Sequence, residues 1–408
     1  MKKETRLLSI PVIVAALGYF VDIYDLVLFS IVRQPSLKAI GIAADAMESN
    51  GLLLINIQMI GMLLGGLMWG ILGDKKGRLS VLFGSILMYS LANIANAYIT
   101  NINQYAVLRF IAGVGLAGEL GAGITLVSEI LSKEQRGWGT TIVATVGVSG
   151  AILAGILGLT VDWTTCYLIG GILGLSLLLM RIGVFESGMY KMAKAHSHEL
   201  GSLKLLFSSS ERRSKYLHCI LVGLPIWYVI GILITLSPEL GKELGIVGKI
   251  NPAYSIMYCY AGVTLGDLAS GVLSQIIKSR KKVLQIFVLA TFICVILYFF
   301  LKGIPVQSFY LFFSILGFAA GYWAVLITTS SEQFGTNIRA TVTTSVPNFI
   351  RAALVPISLM YAGIQTFGLH KLHAGLITGI LCCGIAFWAA GRLKESFHTD
   401  LDYHEKRS

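Results

Sequence analysis

The sequence predicts an all-α membrane protein with twelve transmembrane helices in two six-helix bundles, and three observations support that prediction. Of 408 residues, 55% are hydrophobic and only 13% are charged, about half the charged share of an ordinary soluble domain. Apolar stretches of about 20 residues, the length that crosses a bilayer, recur along the whole chain. The 45 glycines suit membrane helices whose backbones approach closely.

The apolar stretches fall into two sets of six, separated by the longest polar stretch, Phe185 to Lys215. We therefore predict an N-terminal bundle over residues 1–184, a linker loop over 185–214 and a C-terminal bundle with a tail over 215–408. The twelve predicted spans, numbered in chain order, are 10–32, 51–73, 79–99, 104–131, 138–160, 164–184, 215–238, 253–277, 283–301, 306–330, 341–366 and 372–391.

Basic residues are distributed unevenly between the two ends of the predicted spans. The N-terminus, the even-numbered loops and the C-terminal tail carry 24 Lys and Arg, with Arg181 near the end of span 6 counted in the central loop; the odd-numbered loops carry 6, and Arg109 and Arg351 lie within spans. Because cytoplasmic loops are enriched in Lys and Arg, both termini and the central loop are predicted to be cytoplasmic. The net charge of +11 then needs no nucleic-acid partner. We expect a monomer in the inner membrane of a bacterium.

An internal repeat supports the division into two sets of six, as duplicated transporters often show. The segment Gly70–Leu82 aligns with Gly271–Leu284 at an offset of 201, with one inserted residue. Two further groups align at an offset of 203: Glu129 and Arg136 with Glu332 and Arg339, and Phe110 and Gly118 with Phe313 and Gly321.

The loop after span 2, GDKKGR, resembles the signature loop of the major facilitator superfamily. The segments GYFVDIYDLVLFS (18–30), RFIAGVGLAGELGAGITLVSEILSKEQRG (109–137), RIGVFESG (181–188) and SEQFGTNIRAT (331–341) are similar to its proton-linked metabolite, aromatic-acid and phosphate symporters. This resemblance covers nearly the whole chain. It implies the major facilitator fold, transport by alternating access, no enzymatic activity, and a proton gradient in place of any cofactor or metal.

Two departures from the family pattern accompany the resemblance: Gly335 replaces a usual Pro, and Gln275 replaces an Asp. The resemblance also assigns charged residues at predicted cytoplasmic helix ends to a gate that holds the two halves together. The alternative is that they are solvated loop charges. The predicted gate residues are Gly73, Asp74, Gly77, Arg78, Glu129, Arg136, Glu332 and Arg339.

Asp22 and Asp25 lie three residues apart in span 1 and share one helix face. Two carboxylates so close within a membrane are not expected both to be ionised, and ionisable residues at this depth usually mark transport pathways. We predict that they carry protons. The alternative is structural, with one Asp capping a kink or pairing with a basic residue.

Arg109 and Glu119 lie ten residues apart in span 4, so they point to the same side about 15 Å apart along the axis. A guanidinium can bind an anion through its planar fork. The resemblance places both on a cavity-lining helix, with Arg109 as a substrate or coupling residue and Glu119 handling protons. The alternative is an Arg–carboxylate latch between spans 1 and 4.

Arg351 is predicted either to be a second anion contact or to pair with Asp267 of span 8, a residue that we interpret as structural. Aromatic side chains with a polar tip suit a small organic ligand, although most aromatics in membrane helices only pack or lie at the interface. The remaining predicted substrate contacts are Tyr24, Trp227, Tyr322 and Asn348.

These observations predict a proton-coupled symporter that imports a small anionic metabolite, most simply an organic carboxylate. Inorganic phosphate is the nearest alternative, and an acidic site would also suit a cationic or zwitterionic metabolite. A drug/proton antiporter is disfavoured because span 5 lacks the Gly-Pro of that group. A receptor or an enzyme within the membrane is the remaining alternative, but no metal-binding spacing or nucleophilic triad is present.

Overall fold

A computed structural model describes residues 9–76, 78–119, 133–185 and 206–397, together with residues 123, 127 and 131. The named elements of this part of the chain are helices. They are α1 (Ile10–Ala39), α2 (Met47–Lys76), α3 (Arg78–Asn96), α4 (Ile102–Leu116), α5 (Lys133–Val148), α6 (Gly150–Thr160), α7 (Trp163–Phe185), α8 (Ser210–Val222), α9 (Leu224–Tyr228), α10 (Ser237–Glu243), α11 (Pro252–Ile277), α12 (Arg280–Tyr298), α13 (Val306–Ala320), α14 (Trp323–Glu332), α15 (Thr336–Ala352), α16 (Leu354–Thr366) and α17 (Lys371–Arg392), with a short 3-10 helix (Ala44–Ala46) and a π-helix (Val229–Ile234).

Ten helical segments of the described chain are long and apolar enough to cross a membrane, which confirms the all-α membrane fold. Predicted span 3 corresponds to the shorter apolar segment Val81–Asn96, and predicted span 4 begins as α4. Helix α1 continues to Ala39, past the predicted end at residue 32. Arg33, which the charge count assigned to a loop, is therefore a buried helical residue.

Several spans are broken near their middle, and two of the breaks correspond between the halves. Helix α5 gives way to α6 at Ser149, and α15 gives way to α16 at Ala353, a difference of 204 residues. Span 10 breaks between α13 and α14, at Gly321 and Tyr322. Broken helices that free backbone groups near the middle of the membrane are typical of transporter binding sites.

Glycine-mediated helix contacts repeat in the two halves. A Cβ on Gly61 of α2 would collide with the carbonyl of Phe110 on α4, and a Cβ on Gly262 of α11 would collide with that of Ser314 on α13. Gly65 and Gly266 meet the carbonyls of Val114 and Phe318 in the same way. Corresponding glycines lie 201 residues apart in the sequence, and their partners lie 204 residues apart. The structure therefore confirms the repeat, but it pairs Phe110 with Ser314, one residue later than the Phe313 of the sequence alignment.

The two halves meet through related helix pairs: α2 packs against α15 and α16, and α11 packs against α5 and α6. Polar contacts join the halves at the end of the molecule where α1 ends and α2 begins, which we call the α1–α2 end. This end is therefore closed. The contacts there are Arg33 with Thr235 and Glu239, Gln34 with Glu239, Asn56 with Ser358, and Glu48 with Tyr361 and Lys371.

Candidate substrate and proton site

An ion pair links the two halves near the middle of the molecule. Arg351, in the last turn of α15, donates from Nη2 to Oδ2 of Asp22 on α1 at 3.1 Å, and both side chains are buried. The pair uses only part of each group, because Arg351 Nε and Nη1 and Asp22 Oδ1 form no hydrogen bond. Of the two alternatives for Arg351, pairing with Asp267 is therefore excluded in this conformation.

Asp25 lies one turn further along α1 and faces the interior of the first half. A Cβ on Gly170 of α7 would lie 2.5 Å from its Oδ1, so the carboxylate packs against that helix. Neither oxygen of this fully buried group accepts a hydrogen bond of good geometry. Asn93 of α3 is near enough to interact with it as a weak donor, and Arg109 acts on it electrostatically. A buried carboxylate without a hydrogen bond is costly when ionised.

Arg109 of α4 is held on two sides inside the first half. Its Nη2 donates a hydrogen bond to Oε1 of Gln58 on α2, and its guanidinium carbon lies 4.9 Å from the ring centroid of Phe29 on α1. Its Nε and Nη1 form no hydrogen bond, and neither does Gln58 Nε2. The guanidinium is thus oriented while part of its donor fork stays available.

Glu119 forms a buried bidentate ion pair with Arg181 of α7, with Nη1 donating to Oε2 at 3.1 Å and Nη2 donating to Oε1. The pair packs over Gly18 of α1, where a Cβ would meet both side chains. Arg181, which the charge count placed in the central cytoplasmic loop, is therefore an interior residue. This pair links the middle of span 4 to span 6, whereas the structural alternative considered from the sequence was a latch between spans 1 and 4.

Asp267 of α11 has a structural contact. Its Oδ1 accepts the backbone N–H of Ala324 at 3.1 Å, in the first turn of α14, where such N–H groups lack partners within the helix. A carboxylate at this position is also favoured by the helix dipole. Asp267 thus stabilises the restart of span 10 after its break, in agreement with the structural interpretation.

The structure uses the polar atoms of the other predicted substrate contacts for helix packing. Tyr24 donates to the carbonyl of Cys166 at 2.8 Å, and Tyr322 donates to the carbonyl of Val222 at 3.0 Å. Asn348 donates across the half interface to the carbonyl of Ala117 at 2.9 Å. Buried Trp227 has no partner for its Nε1, so among the three predicted aromatic contacts it is the one whose polar atom forms no hydrogen bond. The four substrate roles stay predictions.

Most of the predicted gate lies outside the described part of the chain, including Gly77 and Glu129 entirely and the side chains of Asp74, Arg78 and Arg136. Gly73 and Arg339 belong to described helices, but their side-chain environment does not. Glu332 accepts a hydrogen bond from Ser396 at 2.7 Å and lies 3.5 Å from Arg280. These last two contacts fall within the C-terminal half.

Sequence reasoning missed Gln58, Phe29 and Arg181. Gln58 interrupts the apolar run LLLINIQMIGMLL, and an amide at membrane depth needs a partner, so this signal was available. Arg181 stood at the end of a predicted span and was counted as a loop residue. Among the described residues, no cluster of three or more His, Cys, Asp or Glu could hold a metal ion.

Broken membrane helices, a repeated helical framework and buried charges at the interface of two halves define a membrane transporter of the alternating-access class. The family model of the Major Facilitator Superfamily matches residues 15–353. The chain therefore belongs to that superfamily, and it is a transporter and not an enzyme.

Known relatives span nearly the whole chain. The putative niacin/nicotinamide transporter NiaP of Bacillus subtilis is 24% identical over 399 residues, covering 95% of this chain and 96% of the relative. The cis,cis-muconate transport protein of Acinetobacter baylyi is 26% identical and covers 98% and 96%. The 3-(3-hydroxy-phenyl)propionate transporter of Escherichia coli is 27% identical and covers 88% and 91%.

Among solved structures, the proton:xylose symporter XylE bound to 6-bromo-6-deoxy-D-glucose superposes with a TM-score of 0.71. It is 16% identical in sequence and covers 96% of this chain and 97% of that structure. At this identity the similarity shows the shared fold.

Proposed function

We propose that this protein is a proton-coupled symporter that imports an organic carboxylate across the bacterial inner membrane by alternating access. The observation that carries the proposal is Asp25: a fully buried carboxylate with no hydrogen bond of good geometry, within electrostatic range of a buried, incompletely paired Arg109. Such a carboxylate is costly to ionise unless a cation compensates it. It therefore suits a group that gains and loses a proton as the site opens.

Charge balance supports coupling of one proton to one monocarboxylate. Apart from Asp267, whose carboxylate accepts the backbone N–H of Ala324, the central region of the described chain holds three buried acids and three buried arginines, which sum to zero when all are ionised. An entering carboxylate adds one negative charge in a site where uncompensated charge is expensive, and one proton on an acid restores neutrality. The six groups are Asp22, Asp25, Glu119, Arg109, Arg181 and Arg351.

The three acids differ in how readily each side chain can gain or lose a proton. Asp25 has both oxygens free of hydrogen bonds and Asp22 has one, whereas both oxygens of Glu119 accept from Arg181. We assign proton transfer to Asp25 and Asp22, and we assign Glu119 mainly to holding spans 4 and 6 together. The anion-binding roles go to Arg109 and Arg351, whose remaining donors are unused.

The names of the relatives support a carboxylate: three of them transport niacin or nicotinamide, cis,cis-muconate or 3-(3-hydroxy-phenyl)propionate by name. A carboxylate combined with a conjugated or aromatic carbon skeleton is common to niacin, cis,cis-muconate and 3-(3-hydroxy-phenyl)propionate, whereas nicotinamide carries a carboxamide. The free indole N–H of Trp227 and the interior ring of Phe29 offer surfaces for such a body. The chain's own charges favour the anion over a cationic drug.

The test is uptake into proteoliposomes with the outside acid. The probes are nicotinate, benzoate, cis,cis-muconate, 3-(3-hydroxyphenyl)propionate and inorganic phosphate, each with and without a protonophore. We expect at least one carboxylate to accumulate and the protonophore to abolish that accumulation. Accumulation of phosphate without any carboxylate would favour the phosphate alternative and contradict the proposal.

Asp25→Asn should abolish accumulation while carboxylate exchange between two equal pools continues, because a permanently neutral side chain permits binding but carries no proton. The matched control is Asp45→Asn, which makes the same change at an exposed position and should behave like the wild type. Proton-driven accumulation by Asp25→Asn at the wild-type level would show that Asp25 does not couple.

A further inference from the structure

Gln58 is a buried amide on α2 that is half satisfied. Its Oε1 accepts a hydrogen bond from Nη2 of Arg109, and its Nε2 has no partner. Buried side-chain amides are usually hydrogen-bonded at both ends. Together with Nε and Nη1 of Arg109, the Gln58 amide makes three unsatisfied donor groups in the interior of one half.

The second half shows that helix packing does not require this arrangement. Gly113 of α4 packs on the carbonyl of Gln58, and Gly317 of α13 packs on the carbonyl of Cys259. By the same offsets Arg109 corresponds to Phe313. The second half therefore builds the equivalent helix pair with a thiol and a buried phenyl ring, so the Gln58–Arg109 pair has a purpose other than joining α2 to α4.

The donor set matches a carboxylate. Gln58 Nε2 and the two unused nitrogens of Arg109 offer only N–H groups, whereas an ionised carboxylate offers only acceptors. A carboxamide has N–H groups of its own, and at least one of them would point at an N–H group of Gln58 or Arg109 with no acceptor between them. The ring of Phe29 covers one side of the guanidinium, which leaves the nitrogen edge to meet the ligand, the geometry of charge-assisted recognition by Arg.

We propose that Gln58 is a positioning and specificity-determining residue: it fixes the Arg109 guanidinium and adds a third donor to a carboxylate subsite in the first half. This inference rests on the proposed function and names the part of the site that selects carboxylate over carboxamide. The ionised carboxylate of Asp25 attracts the guanidinium of Arg109 and so competes with a substrate carboxylate for it. Substrate therefore binds this subsite when Asp25 is protonated.

The experiment compares Gln58→Cys with the wild type in proteoliposome uptake, with nicotinate and nicotinamide as competing probes. Cys is the residue at the equivalent position of the second half, so the change is compatible with the packing. We expect the KM for nicotinate to rise about tenfold or more, the effect of losing a hydrogen bond to a charged group. Vmax should change little, and the preference for nicotinate over nicotinamide should shrink.

Gln58→Glu is the second variant, because it keeps the size of the side chain but neutralises Arg109 and should abolish nicotinate uptake. Gln285→Cys, on α12 and half-buried, is the matched control and should keep wild-type KM and selectivity. Thermal unfolding in detergent verifies that each variant folds. Unchanged KM and selectivity in Gln58→Cys, with Gln58→Glu still taking up nicotinate, would overturn this assignment alone. If the wild type takes up no carboxylate, the proposed function itself falls.

Discussion

The two halves of the molecule share a framework and differ in its interior. Tyr24 donates to the carbonyl of Cys166 at 2.8 Å, and Tyr228 donates to that of Gly375 at 2.6 Å, a repeated contact in which the donors lie 204 residues apart and the acceptors 209. The next residue after Tyr24 is the buried Asp25, whereas Val229 follows Tyr228. The shared contacts are therefore those that build the helices, and the unshared residues carry the charge.

The same asymmetry extends through the first half. Its buried charged and amide side chains correspond to apolar or small residues in the second half, so the duplicated framework folds without them. Apart from the Glu119–Arg181 pair, which we assign to packing, ionisable groups kept at such cost are best explained by transport chemistry. From the glycine and tyrosine contacts, the correspondences are Asp22 with Ile226, Asp25 with Val229, Gln58 with Cys259, Arg109 with Phe313 and Arg181 with Ala390.

Arg351 is the converse case: it is a buried charge of the second half, and its counterpart in the first half, 204 residues earlier, is Gly147.

The largest expected effect comes from the ion pair between Arg351 and Asp22, which joins the two halves. Arg351→Ala leaves Asp22 buried without its cation, which should lower the free energy of unfolding by about 3–5 kcal/mol and abolish uptake. The double variant Asp22→Asn/Arg351→Ala should regain most of that stability but no proton-driven accumulation, as measured by thermal unfolding and proteoliposome uptake.

A conservative control keeps this test specific. Lys394→Ala also removes a cation from an ion pair, but that pair with Glu211 of α8 is exposed, at 3.3 Å, so uptake should persist. Wild-type accumulation by the double variant would mean that the inter-half ion pair serves packing alone, and the contrast between the two halves would lose its functional meaning.

The intra-half pair of Glu119 and Arg181 should behave differently. Arg181→Ala leaves a buried carboxylate unpaired and should destabilise the protein by about 3–5 kcal/mol. The double variant Glu119→Gln/Arg181→Met should recover stability, since the second half packs Ala390 where Arg181 stands. We expect it to retain proton-driven uptake. Loss of that uptake in a stable double variant would return Glu119 to the proton path.

Much of this fold could be predicted from the sequence, because the lengths of the apolar stretches and the spacing of the repeated motifs can be measured along the chain without knowing how it folds. The unequal distribution of buried charges between the two halves could be predicted only in part. Asp22 and Arg351 stood out as charges at membrane depth, but their partnership joins residues 329 apart and depends on how the halves pack. Arg181 was misassigned because its partner Glu119 is 62 residues away, a distance over which hydropathy carries no information.

The smallest expected effect concerns a helix N-cap that occurs in both halves. A carboxylate forms it in the first half and an imidazole forms it in the second. Asp162 accepts the N–H of Thr164 at 3.1 Å before α7, and His370 accepts that of Leu372 at 3.3 Å before α17. Hydrogen bonds from Thr164 and Thr165 lower the pKa of Asp162 from 3.8 to about 2.

Asp162→Ala should therefore cost about 1 kcal/mol of unfolding free energy at neutral pH, the usual value of such a cap. A lowered pKa means that the stabilisation is complete above about pH 4 and is lost as the pH falls towards 2. Thermal unfolding of wild type and variant at pH 7 and pH 2 measures this. Asn251→Ala is the matched variant from the second half, because the Asn251 side chain accepts the N–H of Ala253 at 3.0 Å before α11 and does not titrate, so its deficit should be the same at pH 7 and pH 2. An Asp162→Ala deficit of the same size at pH 7 and at pH 2 would show that the carboxylate does not act as the cap.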